Sequence, residues 1–137
     1  PILFQLPPRW HSNETRLDNF LRYLPQGYKY VFEFRDKDWF NDKIYNVLSA
    51  HDAAFCIYHL KGEMSPKIIT STFVYIRLHG PGKNAYEGSY SDEELKSWSE
   101  DFKKWLSNGK EIYCYFDNDQ NGYAPNNALT LKQMMAE

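Results

Sequence analysis

The sequence predicts an α/β protein in which about five parallel strands alternate with four helices as in a TIM-barrel-like fold. Two observations carry this prediction. Short apolar runs of strand length alternate along the 137 residues with segments of helical periodicity. In addition, three of the predicted strands have one apolar face and one face that becomes polar toward the carboxyl end. An open sheet covered by helices on both sides needs two apolar faces, so this pattern favours a barrel.

The predicted strands are short runs rich in aromatic and β-branched residues. They cover residues 2–6, 30–35, 53–58, 73–79 and 111–117. The segment 59–72 contains Gly and Pro and predicts an irregular link between the third and fourth strands.

The clearest predicted helix covers residues 91–107, where Ser91 and Glu94 form a capping box and Asn108 with Gly109 supplies the stop. Three further helices complete the alternation. They are predicted at residues 13–24, around Ile44, Val47 and Leu48, and after Pro125.

Alternation along a strand separates the apolar from the polar side chains. Phe32 and Phe34 lie opposite Glu33 and Arg35 in the second strand. The same parity sets Val74, Ile76 and Leu78 against Arg77 and His79, and Cys114 and Phe116 against Tyr113, Tyr115 and Asp117. We therefore expect the polar faces to line a barrel interior that opens at the carboxyl ends of the strands.

Composition and charge exclude several classes of protein. A net charge of −2 argues against a general nucleic-acid binder, and no apolar run reaches the length of a membrane span. Cys56 and Cys114 lie within apolar runs, which predicts buried thiols rather than a disulfide and a cytoplasmic location. Because the chain begins at Pro1, directly before a predicted strand, we expect a fragment or a processed product.

Four segments together resemble a known family. They are "ILFQLPPRW", "FEFRDKDWF", "VYIRLHG" with "YEGSYSDEEL" downstream, and "YCYFDND" followed by "NGYAPNNA". In this order they resemble the second half of the YecE-like family, the family of domain of unknown function 72. The resemblance implies that residues 1–137 are a single partial TIM-barrel-like domain lacking its N-terminal strands and helices. A complementing N-terminal half or a homo-oligomer would then complete the barrel.

The resemblance also implies a set of recurrent polar or aromatic positions. In this sequence they are Gln5, Glu33, Arg35, Trp39, Arg77, His79, Gly80, Tyr90, Tyr115, Phe116, Asn118 and Asp119. Asp117 departs from the pattern, because the family usually has Asn there. The family carries no settled biochemical function, so the site must be argued from its chemical groups.

The favoured hypothesis is a pocket at the carboxyl ends of the strands that binds or acts on an anionic, phosphate-bearing small molecule or nucleotide. Arg35 and Arg77 would hold the anion, and Glu33 or His79 would be the catalytic acid or base. The predicted ligand-binding residues are Gln5, Arg35, Trp39, Arg77, Tyr90, Tyr115, Asp117 and Asn118. A glycine-rich loop, residues 79–90, is tipped with Lys83, Tyr86 and Tyr90 and predicts a mobile flap.

Several alternatives stay open at this point. In the first, Glu33 forms a buried ion pair with Arg35 or Arg77 that only stabilises packing. In the second, the chain is a non-catalytic module that binds a nucleotide or nucleic acid. In the third, the chain is an incomplete half-domain. Whether it is an enzyme is undecided, with a hydrolase-like TIM-barrel enzyme as the leading class. A metal site of Glu33, His79 and Asp117 is disfavoured by the neighbouring arginines, and neither a cofactor nor a metal is predicted.

Overall fold

The predicted alternation of strands and helices is confirmed in a computed structural model that describes residues 1–136. The strands are β1 (Ile2–Leu6), β2 (Tyr30–Phe34), β3 (Ala54–Leu60), β4 (Glu63–Met64), β5 (Phe73–Leu78) and β6 (Glu111–Phe116). The helices are α1 (Glu14–Tyr23), α2 (Asp42–Ala50), α3 (Asp92–Ser107) and α4 (Tyr123–Ala136). Two single turns of 3-10 helix cover Lys37–Trp39 and Gln120–Gly122.

The strands form one sheet in the order β1-β2-β3-β5-β6, with β4 paired to the end of β3. The β1–β2 and β2–β3 pairs are parallel, whereas β3 and β4 are antiparallel. Parallel strands need helical crossovers, which α1 and α2 supply. The register places Gln5 of β1 beside Glu33 of β2.

The chain divides into two compact units, and β3 and β5 contribute residues to both. The first unit comprises Pro1–Ile57 and Pro66–Tyr75, and the second comprises Tyr58–Ser65 and the residues from Ile76 onward. Each unit has its own core and its own polar side chains.

The core of the first unit is built from the apolar face of β2. Phe32 stacks on Phe4 at 5.2 Å between ring centroids, and Phe34 stacks on Trp39 at 4.6 Å. Helix α1 begins at the N-cap Asn13, whose side chain accepts from Arg16 N, and buries Leu17 and Leu21. Helix α2 buries Ile44 and Leu48. Each pair is four residues apart, because one face of a helix recurs at that spacing.

The second unit packs around α3. The predicted capping box is confirmed, since the Ser91 side chain accepts from Glu94 N and the Glu94 carboxylate accepts from Ser91 N. Leu95, Trp98 and Phe102 are buried along one face of the helix. Their spacing of three and four residues places them on the one face that this helix buries.

One part of the predicted organisation is wrong, because the segment 59–72 contains a short hairpin. His59 pairs with Met64 and Leu60 with Glu63. The two turn residues, Lys61 and Gly62, both have positive φ (53° and 73°), as a tight two-residue hairpin requires. The strand β4 has only two residues, which are too few to produce an alternation that can be detected in the sequence.

No helix within the described residues is long and apolar enough to cross a membrane.

Candidate functional site

Three polar side chains of the second unit meet where β5 and β6 end. Asp117 Oδ2 lies 3.0 Å from Arg77 Nη2 and 3.3 Å from His79 Nδ1. The backbone fixes this arrangement, because Asp117 N donates to Leu78 O at 2.8 Å. We call Arg77, His79 and Asp117 the Asp117 cluster.

The Asp117 cluster combines a buried base with accessible charged groups. His79 is fully buried, whereas the side chains of Arg77 and Asp117 are 20% and 31% exposed. The Asp117 carboxylate lies at ion-pair distance from His79 Nδ1, and an acidic group at this distance favours the charged form of an imidazole. The cluster thus brings together a titratable imidazole, a guanidinium and a carboxylate.

Tyr86 covers the imidazole of His79. The two rings meet edge to face with centroids 5.6 Å apart. Tyr86 is 49% exposed, so about half of its surface faces solvent while His79 stays buried. Its backbone is left-handed, with φ of 65°, which is uncommon for a bulky side chain.

The loop that carries Tyr86 is closed on itself. Gly82 N donates to Glu87 O at 3.0 Å, and both Asn84 N and Asn84 Nδ2 donate to Glu87 Oε2. A Cβ on Gly80 would overlap the Glu87 carbonyl oxygen, and one on Gly82 would lie 2.9 Å from it. The two glycines therefore allow the close backbone approach that the sequence signals only as a glycine-rich flap.

Tyr90 anchors the end of this loop. It is buried, its hydroxyl accepts from Gly80 N at 3.1 Å, and the same hydroxyl lies 3.2 Å from His59 Nδ1. Burial raises the pKa of Tyr90 and lowers the pKa of His59. Burial thus favours the neutral form of both side chains. Through its hydroxyl, Tyr90 connects the start of the loop at Gly80 with His59 of β3.

Two buried amides complete the anchor. Asn118 Nδ2 donates to Gly88 O and to Asn127 Oδ1, each at 2.9 Å, and Asn127 Oδ1 also accepts from Tyr90 N. Asn127 of α4 is absent from the predicted site, because its partner Tyr90 lies 37 residues away and no local pattern marks it. Tyr90 and Asn118, predicted as ligand contacts, are located where they hold the loop.

Tyr115 lies on the same face of β6 as Asp117, two residues earlier in the strand. It is 44% exposed. On the opposite face, burial raises the pKa of the Cys114 thiol to about 12, and the nearby Asp117 charge adds to the effect. Cys56 and Cys114 are both free thiols; Cys56 is buried as predicted, whereas Cys114 is only partly buried.

The first unit contains a second polar group of side chains. The Glu33 carboxylate pairs with the Arg35 guanidinium, and Cys56 Sγ donates to Glu33 Oε2 at 3.4 Å. Glu33 is fully buried, and the side chain of Arg35 is 12% exposed. Gln5 is the neighbour of Glu33 across the β1–β2 register. A catalytic role for Glu33 and an anion-binding role for Arg35 stay predictions, because a buried ion pair also serves packing.

Gln5 and Trp39 border an apolar cavity of about 320 Å³ in the first unit. Trp39 is buried, and its Nε1 donates to Trp10 O at 2.5 Å. Its ring stacks on Phe34, on the face of β2 opposite Glu33. The cavity is lined by Phe4, Gln5, Leu6, Trp10, Arg16, Leu17, Phe20, Phe32 and Trp39.

Among residues 1–136, no three His, Cys, Asp or Glu side chains lie close enough together to hold a metal ion. The alternative metal site of Glu33, His79 and Asp117 therefore has no ligand set in the described part of the chain.

The chain is similar to known proteins over nearly its whole length. It is 24% identical to the UPF0759 protein YunF of Bacillus subtilis (strain 168), with 98% of this chain and 57% of YunF covered. The crystal structure of a DUF72 family protein from Thermotoga maritima MSB8 matches with a TM-score of 0.85 and 29% identity, over 98% of this chain and 57% of that one. A DUF72 family protein from Enterococcus faecalis V583 has a TM-score of 0.83 at 16% identity, over 98% of this chain and 58% of that one, and so supports the fold alone.

These similarities confirm the TIM-barrel-like α/β fold and the family resemblance predicted from the sequence. The chain spans 57% of the length of the curated relative that it matches. A family profile described as "Protein of unknown function DUF72" matches residues 1–137. The chain therefore belongs to the DUF72 family.

Proposed function

We propose that the Asp117 cluster is an acid–base site that binds and acts on a small anionic molecule carrying a phosphate group. The observation that supports the proposal most directly is the pair of contacts that Asp117 Oδ2 makes with Arg77 and His79. His79 is the general acid or base, Asp117 orients its ring, and Arg77 contacts the anion.

The charges of the cluster support an anionic ligand. With His79 neutral, the charges of Arg77 and Asp117 cancel, and protonation of His79 gives the cluster one positive charge. An anion therefore binds best to the protonated form, which is also the form that can give a proton to a leaving group. Arg77 is accessible enough to touch a ligand, since a fifth of its side chain is exposed.

The reaction that fits these groups is hydrolysis of a phosphate monoester. Water attacks phosphorus, the bond from phosphorus to the ester oxygen breaks, and His79 Nε2 gives its proton to the departing oxygen. The attacking water loses a proton to solvent as inorganic phosphate forms. A positioned acid of this kind typically contributes 10²- to 10⁴-fold in rate.

We also infer that residues 1–137 form part of a TIM-barrel-like domain. The match to the Thermotoga maritima protein supports this, because it covers 98% of this chain but 57% of that protein. The two free thiols support a cytoplasmic location.

A thermal-shift titration with inorganic phosphate and a panel of phosphate monoesters, combined with a phosphate-release assay, tests the proposed site. Arg77→Ala should abolish the ligand-induced rise in Tm. His79→Gln should lower the rate of phosphate release by about 100-fold or more, and should bind the anion only as weakly as the form with neutral His79 does. Binding without turnover for any monoester would instead favour the non-catalytic nucleotide-binding module.

The first unit offers a matched control for these variants. Asp18 there accepts from Arg22 Nε at 2.8 Å and contacts His51 Nε2 at 2.7 Å, so that an Arg–Asp–His group also exists outside the proposed site. Arg22→Ala should leave ligand stabilisation unchanged. Equal effects of Arg22→Ala and Arg77→Ala on binding, or a large loss of stability in Arg77→Ala with no ligand effect at all, would contradict the proposal and favour a packing role.

A further inference from the structure

We infer that Tyr86 is the specificity-determining residue of the Asp117 cluster, and that the ligand carries a planar aromatic or heteroaromatic ring beside its phosphate group. This inference rests on the proposed function and adds the class of ligand. Tyr86 contacts His79 and is 49% exposed to solvent.

The position of the Tyr86 ring is the first support. The ring covers the buried imidazole with one edge-to-face contact, at 5.6 Å between centroids. A ligand that binds at the Asp117 cluster on the side of Tyr86 would therefore contact this ring. Aromatic rings prefer to meet other rings in offset or edge-to-face geometry, so a ligand ring gains from this neighbour more than an aliphatic group does.

The backbone of Tyr86 is the second support. A left-handed φ of 65° is strained for a residue with a bulky side chain, and such residues cluster at ligand-binding sites. The strain is retained because the Gly82–Glu87 and Asn84–Glu87 hydrogen bonds close the loop around it. The ring is therefore presented by a loop that is already formed, which lowers the entropy lost when a ligand binds.

A second exposed aromatic ring belongs to the same strand face as the reactive groups. Tyr115 is 44% exposed and precedes Asp117 by two residues, a distance of about 7 Å along a strand. The exposed aromatic surface of Tyr86 and Tyr115 is suited to a flat ring. Contact of one base with one aromatic side chain is worth roughly 5- to 150-fold in affinity.

Phenyl phosphate and methyl phosphate form a matched pair of probes, since both are phosphate monoesters and only one carries a ring. Their dissociation constants are measured by isothermal titration with the wild-type protein and with Tyr86→Phe, Tyr86→Ala and Tyr86→Gly. Tyr86→Gly relieves the strained φ, so it keeps the test valid if Tyr86→Ala disturbs the loop. Tyr23→Ala, at an 88% exposed tyrosine of α1, is the control.

The wild-type protein should bind phenyl phosphate at least about fivefold more tightly than methyl phosphate. Tyr86→Phe and Tyr23→Ala should keep this ratio, and Tyr86→Gly should reduce it to about one while methyl phosphate binds as before. An unchanged ratio in Tyr86→Gly, with phosphate binding that still depends on Arg77, would overturn this inference alone. The proposed function would also be overturned if neither probe binds, or if Arg77→Ala leaves their dissociation constants unchanged.

Discussion

The closed loop before α3 allows the loss of stability to be predicted for substitutions at two glycines with similar backbone conformations. Gly80 has φ of +107° and Gly27 has φ of +91°. A Cβ at Gly80 would overlap the carbonyl oxygen of Glu87, whereas a Cβ at Gly27 would have no atom within 4 Å. The substitutions Gly80→Ala and Gly27→Ala therefore share the cost of a positive φ and differ in the steric clash.

The expected magnitudes follow from the bonds that surround each glycine. A positive φ costs an alanine about 1–2 kcal/mol, which is the whole effect expected for Gly27→Ala. Gly80→Ala must also displace Glu87 O from Gly82 N, or displace Gly80 N from the Tyr90 hydroxyl. Each hydrogen bond contributes about 1 kcal/mol, and a group left buried without its bond costs about 1–3 kcal/mol. The free energy of unfolding should therefore fall by about 3–6 kcal/mol in Gly80→Ala.

Urea unfolding, followed by tryptophan fluorescence, measures both variants against the wild-type protein. The slope of the unfolding free energy with urea should be unchanged, so that the midpoints report stability directly. We expect Gly80→Ala to be less stable than Gly27→Ala by about 2–4 kcal/mol, the sum of the hydrogen-bond terms. Equal losses of stability in the two variants would refute the argument that the loop depends on close approach of Gly80 to Glu87.

Two further predictions follow from the pKa shifts. Burial lowers the pKa of His59 more than the Glu94 charge raises it. As pH falls, His59 therefore takes up a proton in the unfolded chain before it does so in the folded protein. The folded state keeps its full stability above about pH 6.5, and loses stability as pH falls below that value. The Tm should therefore fall less between pH 7.5 and 5.5 in His59→Gln than in the wild-type protein, and an equal fall would contradict the assignment. Because burial raises the pKa of Cys114 to about 12, iodoacetamide at pH 8 should alkylate it at least about 100-fold more slowly in the folded protein than in urea, and comparable rates would show an accessible thiolate.

The faces of the strands were predictable because side chains alternate with a period of two. This local rule predicted that Arg77 and His79 share one face at the end of β5 and that Asp117 continues the polar face at the end of β6. The capping box of α3 is likewise a local feature, since Ser91 and Glu94 lie three residues apart. Such features depend on neighbours in the chain, and the sequence shows those neighbours directly.

Contacts between distant segments were not predictable in the same way. Arg77 and Asp117 are 40 residues apart, and their ion pair follows from the Leu78–Asp117 backbone bond between β5 and β6. Trp39 was predicted as a ligand-binding residue, and its ring both stacks on Phe34 in the core of the first unit and borders the apolar cavity there. An aromatic side chain suits a core and a pocket equally well, so only packing distinguishes the two.

The sequence by itself determined the α/β class, the order of the elements, the apolar faces of the helices and strands, and the family. Each of these follows from periodicity or from motifs within a short stretch of chain. Only the tertiary structure decided which polar residues meet, that Tyr90 and Asn118 anchor a loop, and that Tyr86 covers His79. The physical reason is that these contacts depend on strand register and on a loop closed by Gly80, Gly82 and Glu87, and neither produces a local pattern in the sequence.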